Sequence, residues 1–173
     1  MYVYLDVETG GLDPNENPIL SICAMTEEGQ AFYAQVAAEG RPCTKEALKV
    51  NGFREEELEN GQPPAEVAEG FSDWLKGLSE GHIYDLIVAG WNVGFDIKFV
   101  ESQLCRFVGV YVHYETVDVK ALNRFLWEQG KSPVHGALST VARALGVSDE
   151  DSHTSWGDVR MTREIHEVLR GLV

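Results

Sequence analysis

Between residues 2 and 8 the chain alternates, with Tyr2, Tyr4, Asp6 and Glu8 on one side of an extended backbone and Val3, Leu5 and Val7 on the other. Its β-branched and aromatic content predicts a strand at the start of the sequence. Pro18 to Met25 and Gln30 to Val36 read as two further strands joined at Glu27-Glu28-Gly29, a hairpin connection that continues antiparallel from the first. Helices are predicted near Thr44 to Val50 and from Pro64 to about Leu78, the second with Phe71, Trp74, Leu75 and Leu78 at core-face spacing. The short apolar run Leu86-Ile87-Val88-Ala89, bounded by Gly90, suits a strand buried on both faces. Asn92 is placed to cap a helix reaching about Val108, and another strand ends near Asp118. Helical patterns then occupy about 119 to 129, 137 to 145 and 156 to 172. The expected fold is α/β, a mixed five-stranded sheet of three antiparallel strands then two parallel, flanked by helices.

Four acidic side chains break this pattern. Asp6 and Glu8 stand side by side near the carboxyl end of the first strand, where like charges repel unless a cation is shared. Gly10-Gly11 follows and allows a sharp turn or a close approach of another backbone or a ligand. In the helix after Asn92, Asp96 shares a stripe with Val93, Val100, Leu104 and Phe107. In the last helix Asp158 shares one with Met161, Ile165, Val168 and Leu172. An acid in a first turn is often explained by the helix dipole. Two inward acids together with a strand-borne pair are better explained by a metal. His153, five residues before Asp158, can bring an imidazole to a water at that site, with a pKa suited to taking its proton. His135 is the competing candidate but has no acid at comparable spacing and reads as a loop or cap residue. His82, His113 and His166 have no such company.

At 173 residues the length implies a single domain, residues 1 to 173. No apolar run approaches the ~20 residues of a membrane helix, and the chain enters a strand without a basic, apolar leader, so a cytoplasmic protein without a membrane partner is expected. Cys23, Cys43 and Cys105 lack metal-ligand spacing and read as free thiols. The net charge of −14 runs against the basic surface usual in nucleic-acid proteins. Its distribution is uneven: residues 1 to 90 carry 17 acidic and 5 basic side chains, whereas residues 91 to 173 carry 11 and 9. Much of the excess lies in stretches such as Glu55 to Glu59, read as a solvated helical face, and four charges belong to the proposed ligands.

These residues resemble the DEDDh-type 3'-5' exonucleases of the DnaQ-like group, which have the ribonuclease H-like fold. The first motif of that family is similar to Leu5-Asp6-Val7-Glu8-Thr9-Gly10-Gly11-Leu12-Asp13, and the second to Gly90-Trp91-Asn92-Val93-Gly94-Phe95-Asp96-Ile97-Lys98-Phe99. The third is His153 with Asp158; the subgroup using tyrosine would need it at position 154, where Thr154 stands. The resemblance spans essentially the whole chain and implies Asp6, Glu8, Asp96 and Asp158 as ligands of two Mg²⁺ or Mn²⁺ ions, with His153 as general base. It implies hydrolysis of single-stranded nucleic acid from the 3' end to nucleoside 5'-monophosphates, DNA slightly favoured over RNA. Thr9, Gly10 and Leu12 are implied to hold that end, with Leu12 as a wedge against a base. Trp91, Asn92 and Phe95 line the same cleft in this reading, although core packing accounts equally for Trp91 and Phe95. The expected partners are single-stranded 3' ends and a polymerase or other replication or repair protein. The alternatives are a catalytically silent nucleic-acid-binding or polymerase-accessory module on the same fold, and an RNA-trimming enzyme of the oligoribonuclease kind.

Overall fold

A computed structural model describes residues 1–78, 85–109 and 115–173. Its sheet contains β1 (Tyr2–Thr9), β2 (Ile19–Thr26), β3 (Ala31–Gln35), β4 (Ile87–Gly90) and β5 (Thr116–Asp118) in the order β3-β2-β1-β4-β5. The first three strands are antiparallel, and β4 and β5 run parallel to β1. This is the sheet the sequence predicts. The helices are α1 (Lys45–Asn51), α2 (Pro64–Leu78), α3 (Gly94–Val100), α4 (Arg106–Val108), α5 (Val119–Glu128), α6 (Leu138–Leu145) and α7 (Ser155–Arg170). Among the described residues, no helix is long and apolar enough to cross a membrane. His82 and His113 lie outside the described residues.

Both faces of the sheet are covered, and the alternation in β1 divides its side chains between two cores. Val3, Leu5 and Val7 pack with Phe71 and Leu75 of α2 and with Ile97 and Val100 of α3. Tyr4 joins the other core with Val141 of α6 and with Val159, Met161, Ile165 and Leu169 of α7.

Several local expectations are corrected. Asn92 is no side-chain cap: its φ is 67°, it sits in the turn before α3, and its carbonyl accepts the Phe95 N–H at 2.9 Å. The helix it was expected to open does not run evenly to Val108, because Glu101–Cys105 form a π-helical segment between α3 and α4. A π turn inserts one residue into the α pattern. Phe107 is therefore 45 % exposed, and Val108 packs on the core in its place. In α7, Leu169 is fully buried and Val168 is not, since four-residue steps from Ile165 stay on the inner face. His166 does have company: it is buried and hydrogen-bonds the Tyr4 hydroxyl through Nδ1 at 3.0 Å. Burial lowers its pKa. The Glu55 to Glu59 stretch forms only a short 3₁₀ turn, Glu55–Glu57, although its side chains remain largely solvated. Gly10 and Gly11 are not left-handed. Their missing Cβ atoms instead make room for Pro18 and Cys43 beside Gly10 and for the Asn17 side chain beside Gly11.

Candidate active site

β4 pairs with β1 only from Tyr2 to Tyr4, so beyond Tyr4 that edge of β1 is open. The chain leaves β4 at Gly90, turns, and enters α3, whose first turn carries Asp96 back to this edge. There Asp96 Oδ1 accepts the Val7 N–H at 3.1 Å, and its side chain is buried. A side chain thus takes the place of the missing strand partner, and the carboxylate is held beside Asp6 and Glu8. The β1–β2 register shifts between Glu8 and Thr9. Such irregularities re-aim side chains at strand ends.

Asp158 reaches the same point from the opposite side of the sheet. Thr154 caps α7, accepting the Gly157 N–H at 3.0 Å while its hydroxyl donates to the Asp151 carbonyl at 2.8 Å. A side chain at Gly157 would collide with the Asp151 backbone, so only glycine lets the loop fold this tightly over the helix. Ser155 hydrogen-bonds Ser21 of β2 at 2.9 Å and docks the helix end on the sheet. One carboxylate oxygen each from Asp6, Glu8 and Asp158 lie within 4.8 Å of one another. His153, with φ of 67° and an exposed side chain, donates its backbone N–H to Asp158 Oδ1 at 3.1 Å. That bond ties the loop carrying the imidazole to the acidic group.

The electrostatics show what this arrangement lacks. Burial, and then the charges of Asp96, Glu8 and Asp158, push the Asp6 pKa well above the usual carboxylate range. Burial and Asp158 raise Glu8 to about 7. Asp96 rises to about 8, chiefly through burial, with the Val7 N–H opposing the shift. Asp158 is also raised by burial, while the His153 backbone N–H pulls it down. Among the described residues, no lysine or arginine forms an ion pair with any of the four. A set of hard oxygen donors without a cationic side chain suits a divalent cation.

A cleft of about 610 Å³ opens directly from Glu8. Thr9, Gly11 and Leu12 form one wall, Phe95 contributes from α3, and Ala47, Val50 and Asn51 form the wall on α1. Leu12 is 84 % exposed and free to meet a ligand. Of the residues expected along this cleft, Gly10 lies behind the wall, bonded through its N–H to the Pro18 carbonyl at 2.8 Å. Trp91 packs against the core on the α7 side, and Asn92 is exposed; neither lines the cleft. His135 packs against Trp127, ring centroids 4.0 Å apart.

The α1 wall has no counterpart among the residues expected from the sequence. No residue of α1 is buried, so its apolar side, Ala47 and Val50, faces the cleft and not a core. Asn51 Nδ2 donates to the Thr9 carbonyl at 3.0 Å and links the two walls. The available signal was a short helix with apolar residues on one side and no partner for them. Gln103 was also unsuspected. It is buried in the π segment, where Nε2 donates to the carbonyls of Pro14 and Asn17 at 2.9 and 2.7 Å and Oε1 accepts the Ile19 N–H at 3.0 Å. These bonds anchor the loop between β1 and β2 that carries Leu12.

Comparisons with known proteins bear on the family and the fold. The family model RNase_T, described as Exonuclease, matches residues 3–166. DNA polymerase III PolC-type from Thermotoga maritima is 26% identical over 167 residues, covering 95% of this chain and 11% of the polymerase. DNA polymerase III subunit epsilon from Treponema pallidum is 22% identical over 171 residues, covering 97% of this chain and 75% of that subunit. E. coli exonuclease I, solved in complex with a dT13 oligonucleotide, superposes with a TM-score of 0.81 at 16% identity, covering 98% of this chain and 40% of the other. The exonuclease I of Methylocaldum szegediense gives 0.79 at 17% identity with the same coverage. This chain thus spans about a tenth of the PolC-type relatives and two fifths of the exonuclease I chains. Its sheet is that of the ribonuclease H-like exonucleases, and the chain belongs to the RNase_T exonuclease family, the DnaQ-like group that its motifs resemble.

Proposed function

We propose that this domain is a 3'-5' exonuclease that hydrolyses single-stranded nucleic acid from its 3' end to nucleoside 5'-monophosphates, with DNA slightly favoured over RNA. The observation that carries the reading is the convergence of part-buried Asp6, Glu8 and Asp158 with buried Asp96, with no lysine or arginine paired to them among the described residues, beside a cleft with largely apolar walls. Held by Asp6, Glu8, Asp96 and Asp158, two Mg²⁺ or Mn²⁺ ions would supply the positive charge needed to bind a phosphodiester and to stabilise charge as it is cleaved. His153 accepts the proton of the attacking water, its loop fixed by the backbone bond to Asp158. Leu12, Val50 and Phe95 enclose the terminal nucleoside, stacking on it without choosing among bases. Thr9 shapes the wall: its hydroxyl donates to the Gly11 carbonyl at 2.7 Å and fixes the turn leading to Leu12.

Support for DNA and for a replication or repair setting in the cytoplasm comes from the polymerase III relatives and from the oligonucleotide bound by the E. coli neighbour. A polymerase or another replication protein is the proposed partner. The test uses single strands of DNA and RNA labelled at the 5' or 3' end, in Mg²⁺ or Mn²⁺. A 3' label should be released at once as a mononucleotide, whereas a 5' label should pass through a descending ladder. Release of the 5' label first, or internal cuts only, would overturn the polarity.

A further inference from the structure

The sheet row containing Asp6 continues across β2 to the edge strand, since Asp6 lies opposite Cys23 and Cys23 opposite Tyr33. Residues directly opposite one another share a face. Tyr33 therefore stands on the α7 side of the sheet, two strand spacings or about 10 Å from Asp6. Trp156, in the first turn of α7, meets it there with ring centroids 6.4 Å apart and ring planes at 82°. The two residues are 52 % and 44 % exposed. Together with Asp151 and Thr154 they line an open corner of about 360 Å³. Core packing does not account for rings this exposed, and Trp156 lies in the same helix turn as Asp158.

Given the hydrolytic reading above, on which this inference rests, the geometry points to the Tyr33–Trp156 corner as the seat of a substrate nucleobase on the 5' side of the bond to be cut. The cleft that takes the terminal nucleoside lies where β1 faces α1 and α3. A strand passing from it across the carboxylates emerges on the α7 side, where the two rings stand. The occupant is a base and not a phosphate, because the corner is lined by two rings, Thr154 and the acid Asp151, whose 62% exposed side chain is paired with Arg160 only at 3.8 Å, and no cationic side chain among the described residues lines it. A base offers an uncharged π face, and stacking on aromatic rings is indifferent to sequence. The corner also explains how a chain of net charge −14 can hold a polyanion: ring stacking takes over part of what a basic track does elsewhere. Affinity for a strand should accordingly fall only shallowly with salt.

The test compares two substrates and adds a binding signal. Thymidine 5'-(p-nitrophenyl phosphate) has no upstream nucleotide, whereas a single-stranded (dT)5 has several. Tyr33→Ala and Trp156→Ala should raise KM for (dT)5 on the order of 5- to 150-fold, the range corresponding to one stacked base. KM for the nitrophenyl ester should change less than twofold, and Trp156→Phe should restore most of the (dT)5 affinity. The Trp156 share of tryptophan fluorescence, obtained by difference from Trp156→Phe, should be quenched by (dT)5 in Ca²⁺ at times short compared with hydrolysis. The same strand with abasic residues at every position but the 3' terminus should leave it unquenched. Equal losses on both substrates, or unchanged KM for (dT)5, would overturn the proposal. So would dimerisation of the parent abolished by Trp156→Ala, which would assign the corner to a second copy. If the parent cleaves neither substrate, the hydrolytic reading fails, and quenching by (dT)5 alone decides whether a base sits on the corner.

Discussion

Asp96 accepts the Val7 backbone N–H at 3.1 Å, and so takes the place that a longer β4 would occupy beside β1. The same hydrogen bond satisfies a strand edge and holds a buried acid next to two others. Asp96→Asn keeps the acceptor and removes the charge. It should fold with a melting temperature in chelator at or above that of the parent, yet lose at least about a hundredfold in turnover, as expected for losing a cation ligand. Asp96→Leu leaves the N–H unpaired and should be less stable than Asp96→Asn by about 1–3 kcal/mol. Paired thermal melts and rate assays separate the two effects.

The raised carboxylate pKa values imply an unusual pH profile for the metal-free protein. Glu8 at about 7 and Asp96 at about 8 lie above their ordinary values of 4.5 and 3.8, so the folded state binds protons more tightly than the unfolded state. Their contribution to stability is fully present below about pH 4 and is lost as pH rises through 7 and 8. In chelator, urea midpoints should therefore fall between pH 5 and pH 8.5 by more in the parent than in Asp6→Asn, where one repelling charge is gone. Mn²⁺ at pH 8.5 should recover the loss. A parent and variant with identical pH slopes would show that the cluster does not strain the fold.

His153→Ala should bind Mn²⁺ as the parent does, with the same rise in melting temperature, while turnover near neutral pH drops about 10²- to 10⁴-fold. The residual rate should climb with pH as hydroxide replaces the missing base. His135→Ala is the control, since that ring packs on Trp127. Parental rates for His153→Ala from pH 6 to 9 would remove the imidazole from the proton transfer.

Gln103→Leu deletes two hydrogen bonds to the loop between β1 and β2 and one to the first residue of β2, and leaves a buried N–H and two carbonyls without that partner. The melting temperature should fall. Because the loop carries Leu12 and not a carboxylate, KM for an oligonucleotide should rise more than kcat falls. A proportionate loss of kcat alone would show that the loop does not contribute to binding.

The parts legible in the sequence were those set by simple periods. A two-residue period placed Asp6 and Glu8 on one face of β1, and a stripe shared with Val93 and Val100 showed that Asp96 faces inward. Periodicity failed where the backbone changes its pitch or where apolar residues face a cleft. The π segment turns Phe107 outward, and a four-residue step buries Leu169 in place of Val168. Val50 was invisible as a cleft residue because an exposed apolar side chain on a short helix has no periodic signature of its own. Gln103 acts through backbone carbonyls, which carry no sequence signal at all. The tight loop around Gly157 shows the opposite case, in which one missing Cβ explains a motif position once the Asp151 backbone is seen above it.

In the proposed reaction Asp6, Glu8, Asp96 and Asp158 act by holding divalent cations at a phosphodiester. The most direct measurement is the release of 3'-labelled mononucleotide from single-stranded DNA by the same protein sample, first in Mn²⁺, then in excess chelator, then with Mn²⁺ restored. Release should stop in chelator and return in full, and Asp158→Asn should show none in any of the three conditions. Undiminished release in chelator, or parental release by Asp158→Asn, would show that these carboxylates do not act through a bound cation.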